Sequence, residues 1–233
     1  MKIRRWGYYM KKQNLSLLSL FMNKWFVLFW LIFGCVYVTI YGALWVDDPY
    51  TEGLKTVTIL GVVLEPTMTA TASIIGRTYF WAFKGWGLFQ AISLALSILY
   101  AYNRYAFTGK PARAGRICLA LGSACVMACV ITPSREGFGL VQLIHWSTAL
   151  LFGVFYAVAL GLLLYRAAKT SRRALATLII FVAMLAAMIC LLIFVGKGGA
   201  IESIPMWGAY LIILLLGYTG IYRKSLPEPA EAV

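Results

Sequence analysis

Histidine is nearly absent from this chain: His145 is the only one among 233 residues. Acidic side chains are scarce too, eight Asp and Glu against twenty-one Lys and Arg. One imidazole and few carboxylates supply no ligand set for a metal ion, so neither a metal nor a cofactor is expected. The same scarcity argues against transmembrane hydrolases built on several histidines. A phosphate-binding loop is missing, because Gly196-Lys197-Gly198-Gly199 is not followed by the Gly-Lys-Ser/Thr run such loops use. No nucleophile elbow and no zinc-protease motif occurs. The five cysteines, Cys35, Cys118, Cys125, Cys129 and Cys190, all fall inside apolar runs. None is placed for a secreted disulfide framework. There is no internal repeat.

What the chain has in excess is hydrocarbon. It is 62% hydrophobic and 12% charged, with a mean hydropathy of +0.82. A soluble domain is nearer half apolar and about a quarter charged. The excess is gathered into long runs, so the sequence reads as an integral membrane protein. The net charge of +13 does not point to nucleic acid. The Lys and Arg residues sit in short loops beside apolar runs, where they orient helices and meet anionic head groups.

Taken in order, residues 1–24 are a basic cytoplasmic lead. Asn14, Leu17, Leu18 and Phe21 fall there at the spacing of a short interfacial helix. Residues 25–224 form a membrane domain, and residues 225–233 a disordered cytoplasmic tail. The predicted spans are Trp25–Val46, Trp86–Asn103, Ile117–Thr132, Leu140–Tyr165, Ala174–Val195 and Ile204–Tyr222. The first is too long for a signal-peptide core and is read as a retained anchor. The third is short, so its ends are expected to run into the loops. Asp47-Asp48-Pro49 stops the first span with two charges and a helix breaker.

A further apolar run, Thr56–Leu64, is about half the length needed to cross. If it does not cross, sixteen Lys and Arg lie on the cytoplasmic side. Only Lys55, Arg77, Lys84, Arg135 and Lys197 then lie outside. If it did cross, the two sides would nearly balance, and the positive-inside bias would vanish. The expectation is therefore an all-α polytopic bundle of six spans in the cell membrane. Both termini are cytoplasmic, and a long outer loop joins spans 1 and 2. The run Thr56–Leu64 becomes a surface or re-entrant element of that loop. The backbone must satisfy itself in lipid, which makes helices the spanning form.

Any site should lie in Thr132–Phe152. His145 enters the membrane there behind the polar turn Pro133-Ser134-Arg135-Glu136-Gly137. It is about five residues inside the outer end of its span, roughly 7–8 Å deep. An imidazole at that depth needs polar partners. Gln142, Ser147 or groups of the outer loops are the candidates. Two readings stand: a histidine that handles a proton or contacts a ligand, and a structural histidine near the interface. Glu65, Ser73, Arg135 and Glu202 also fall on the outer side and complete a candidate ligand site with His145 and Gln142. Cys118, Cys125 and Cys129 share a helical face, with Gly122 and Ser123 in the same stretch, which suits close helix packing.

The order of features resembles the superfamily of the DRAM (damage-regulated autophagy modulator) and FGF-receptor-activating membrane proteins. It is similar to a related bacterial six-helix family. The features are Ser73-Ile74-Ile75-Gly76 before the second span, Thr132-Pro133 closing the third, His145 opening the fourth, and Gly198, Gly199 and Glu202 before the last. The family usually has an acidic residue after the serine, where Ile74 stands here. The resemblance covers roughly residues 25–224 and implies a six-span fold rather than an activity.

Three functional readings follow. The first is a non-catalytic membrane protein binding a lipid or a protein partner, and no nucleic acid, at an outer-side cavity near His145. The second is a lipid-remodelling enzyme using His145 and Glu202 as acid and base. The third is a small transporter, which would need a polar path through spans that carry no ionisable residue near their middle.

Overall fold

A computed structural model describes residues 23–42, 44, 57–59, 62–64, 71–132, 139–196 and 198–219. They form α1 (Lys24–Gly42), β1 (Val57–Ile59), β2 (Val62–Leu64), α2 (Ala72–Thr78) and α3 (Phe80–Arg104). These are followed by α4 (Gly109–Ile131), α5 (Leu140–Ala168), α6 (Arg172–Phe194) and α7 (Gly199–Tyr218). All of these helices except α2 are long and apolar enough to cross a membrane, six in number. The chain is an all-α, multi-pass membrane protein. The interfacial helix and the tail expected at the two ends lie outside the described residues.

Helix ends depart from the apolar runs for physical reasons. α4 begins at Gly109, eight residues before Ile117, because its first turns carry Lys110, Arg113 and Arg116 and so escape an apolar window. Gly109 holds φ +84°, a conformation that side chains with a Cβ disfavour. Pro111 follows in the first turn, where its missing N–H costs no helical bond. α3 likewise starts at Phe80 despite Lys84, whose ammonium lies 4.1 Å from the Phe80 ring centre and 4.7 Å from that of Trp81. The rings take up part of the charge near the interface.

The run Thr56–Leu64 resolves into an antiparallel pair, with Val57 opposite Leu64, Thr58 opposite Val63 and Ile59 opposite Val62. The β-branched residues suit strands, and the sequence supplies only Leu60-Gly61 to connect them. The described residues of this run are thus paired strands rather than a helix.

α3 is the centre of the bundle. It packs against α1, α2, α4, α5 and α7, while α4–α5, α5–α6, α6–α7 and α1–α7 contacts join the other spans in an arc that runs from α4 round to α1. Half of its most apolar stretch is buried, against 6% for α6, which faces outward almost entirely. Close approach depends on small residues. A Cβ on Gly87 would stand 2.5 Å from Val130, and one on Gly122 would stand 2.8 Å from the Tyr156 ring. Without a hydrophobic effect between helices in lipid, such contacts and interhelical hydrogen bonds hold the bundle together.

At the basic end, the turn between α3 and α4 ties down the end of α7. Tyr105 donates its hydroxyl to the Leu216 carbonyl, and Arg104 donates to the Gly217 carbonyl. Those carbonyls belong to the last turn of α7, which has no donors of its own left to meet them. Phe107 is buried beside them, edge-on to Tyr102 at 4.8 Å.

Candidate functional site

The α4–α5 corner is built from the end of one span and the start of the next. α4 stops at Ile131, and Thr132 turns extended (φ −85°, ψ 110°). Pro133 follows in the sequence, and a residue before proline is driven from helical to extended conformation. The last carbonyls of α4 are left without helical partners. The Thr132 hydroxyl donates to Ala128 (2.8 Å) and Cys129 (3.2 Å). His145 supplies the rest. Its Nδ1 lies 2.8 Å from the Thr132 carbonyl and 3.0 Å from the Cys129 carbonyl. Both partners only accept, so Nδ1 carries the hydrogen. The Cys129 sulfur lies alongside the ring, 3.7 Å from Nδ1 and 4.0 Å from Nε2. The ring is 2% exposed. His145 is therefore the cap of the preceding span. Among the described residues its polar contacts are these two backbone carbonyls and the Cys129 thiol.

Several groups gather round this cap. Gln142, one turn earlier on the same face of α5, is 4% exposed, whereas Leu140, Leu143 and Ile144 point outward. The Phe83 ring lies 6.4 Å from His145 and stacks on Trp86 and Tyr41. α2 rests on Phe83, since a Cβ at Gly76 would come within 2.6 Å of that ring. Tyr41 fixes the other end of α2 by donating to the Ala72 carbonyl at 2.7 Å. Ser73 is half-buried there and hydrogen-bonds Thr71 at 3.1 Å. Glu202, in the first turn of α7, lies within electrostatic reach of the Cys129 thiol. Glu65 and Arg135 lie outside the described residues. Among the described residues no three His, Cys, Asp or Glu side chains come together.

A second polar constellation lies mid-span, where sequence reading placed nothing. Gln90, Ser93 and Ser97 are fully buried on one face of α3. Tyr210 of α7 donates to Gln90 Oε1 at 3.0 Å and lies 2.6 Å from Ser93 Oγ. The spacing of three and four within an apolar span was the signal available. A neighbouring pair is Tyr156, which donates to the Ala91 carbonyl at 3.2 Å and meets Ser123 at 2.7 Å.

Two concavities among the described residues flank these helices, and His145 lines neither. One is a lateral groove of about 410 Å³ between α1 and α4, floored by α3. Phe26 and Trp30 form one wall, Ala91 and Ala95 the floor, and Ser123 the far side. The other, about 380 Å³, lies at the start of α4 and is lined by Lys110, Arg113 and Arg116 with Thr108, Gly109 and Ala112.

No protein-family model, no curated protein and no solved structure matches this chain.

Proposed function

We propose that this chain is a non-catalytic protein of the cell membrane that holds a lipid molecule against its flank, in the groove between α1, α3 and α4. The observation that carries the reading is the shape and chemistry of that groove. It opens broadly sideways, its walls are aromatic and aliphatic, and Ala91 and Ala95 of α3 form its floor. In a bilayer such a groove adjoins hydrocarbon, so an acyl chain fits it without desolvating polar groups. A hydrophobic helix of a protein partner is the alternative occupant.

Filling the groove tests the idea. Ala95→Trp should abolish lipid co-purification in native mass spectrometry while leaving the elution profile in detergent unchanged. Full lipid retention by this variant would reject the groove.

Sidedness belongs to the same proposal. The basic turns between α3 and α4 and between α5 and α6 face the cytoplasm, as do both termini. Cysteines introduced at Lys110 and Ser171 should be shielded from an impermeant thiol reagent in intact cells, and one at Glu52 should react. The reverse pattern would invert the topology.

The enzymatic reading draws on Glu202 and His145 sharing Cys129 as a neighbour. Against it, Nδ1 is committed to two carbonyls and the ring is buried. The transporter reading draws on the ladder of Gln90, Ser93 and Ser97. That ladder carries no charge, and Tyr210 ties Gln90 and Ser93 of it to α7, which suits a helix junction better than a coupling site. The similarity to the DRAM superfamily supports the six-span arrangement and adds no activity.

A further inference from the structure

We infer that the lipid in this groove is an anionic phospholipid, whose phosphate is held by Arg113 and Arg116 with Lys110 beside them. The inference rests on the groove reading and names the head group that goes with it.

Position comes first. At 3.6 residues per turn each residue advances about 100° around a helix. Gly109, Ala112, Arg113, Arg116 and Ser123 then fall within roughly 100° of arc on α4. Gly109, Ala112, Arg113 and Arg116 line the basic hollow, and Ser123 lines the groove. Arg116 and Ser123 are seven residues apart, about 10 Å along the axis. A molecule with its chain at Ser123 thus has its polar end at the depth of Arg116. This side chain also lies within electrostatic reach of the Tyr102 hydroxyl, on the same α3 that floors the groove.

Charge comes second. Lys110, Arg113 and Arg116 recur every three residues, so like charges crowd one another. No acidic residue stands in the first turn of α4. Between Tyr79 and Lys197 the sequence holds one carboxylate, Glu136, in the loop at the opposite end of α4. Among the described residues, then, the hollow combines concavity with positive charge that no carboxylate offsets. Guanidinium groups match phosphate oxygens in geometry as well as sign.

The test uses the full chain in detergent, with phosphatidylglycerol and phosphatidylcholine of identical acyl chains, read by native mass spectrometry. The wild type should retain phosphatidylglycerol about tenfold over phosphatidylcholine, a factor worth one decade in affinity. Arg113→Gln/Arg116→Gln should bring that ratio near one, with phosphatidylglycerol losing about tenfold more retention than phosphatidylcholine. An unchanged ratio in the double variant would overturn the assignment. Displacement of phosphatidylglycerol by an equal concentration of inorganic phosphate would also overturn it, since free phosphate would then be the ligand. If the wild type retains both lipids equally, the head-group inference falls and the groove stands. If it retains neither, the groove reading itself falls.

Discussion

His145→Phe is expected to melt well below the wild type in detergent, whereas His145→Asn recovers most of the loss. Phenylalanine fills the volume of the ring but donates nothing, leaving the Cys129 and Thr132 carbonyls without the Nδ1–H they share. A buried acceptor stripped of its partner costs about 1–3 kcal/mol. Asparagine carries an N–H at the same distance from the backbone as Nδ1, so it can renew at least one bond. Thermal unfolding followed by tryptophan fluorescence decides the matter. If Asn melts as low as Phe, capping is not what His145 does. Lipid retention gives a second readout: the groove lies elsewhere, so His145→Phe should keep its lipid. Loss of lipid at an unchanged melting point would return the binding site to the outer end.

Gly34→Leu should do still more damage. A Cβ at Gly34 would stand 2.4 Å from Ser93 Oγ, 2.6 Å from the Tyr210 hydroxyl and 2.7 Å from Ser93 Cβ. Ser93 is short and fixed to α3, so the contact relaxes only if α1 moves away from α3. Overpacking of this kind costs about 1–3 kcal/mol by itself. Parting the bonds among Tyr210, Ser93 and Gln90 leaves polar atoms in hydrocarbon and adds to it. Against a total stability on the order of 5–15 kcal/mol, the expected result is aggregated protein with little monodisperse peak in size-exclusion chromatography. Gly34→Ala combined with Ser93→Gly exchanges the small residue across the contact and should restore part of the peak. A monodisperse Gly34→Leu protein with the wild-type melting point would refute this account of the junction.

These two residues show how much the sequence made legible. The six spans were readable because length and hydropathy are enough to place an apolar helix in a bilayer. His145 stood out because it is unique and polar in an apolar run. Its partners were not readable, since backbone carbonyls have no signature in a sequence. Only the folded corner shows that the end of α4 lies against it. Gln90, Ser93, Ser97 and Tyr210 escaped notice for another reason: each is a common, uncharged residue, and their meaning comes from meeting across 117 to 120 positions of chain. The groove and the basic hollow were equally hidden. They are properties of the space between helices, and the Lys and Arg residues that line the hollow read in sequence only as topology signals. The hairpin was underdetermined because a short apolar run suits a strand or a buried helix alike.

α7 also matters in time. A chain is made from its N-terminus, so α1, α3, α4, α5 and α6 reach the membrane before α7 does. Until α7 arrives, the Gln90 side chain and Ser93 lack the Tyr210 hydroxyl, and Arg104 and Tyr105 lack the carbonyls of Leu216 and Gly217. The five earlier spans are thus released from the ribosome with a sticky, unsatisfied seam along α3. α7 meets that seam at two depths at once. Docking of α7 thus completes the packing of α3, and a chain stopped short of Tyr210 leaves Gln90, Ser93, Arg104 and Tyr105 without these partners.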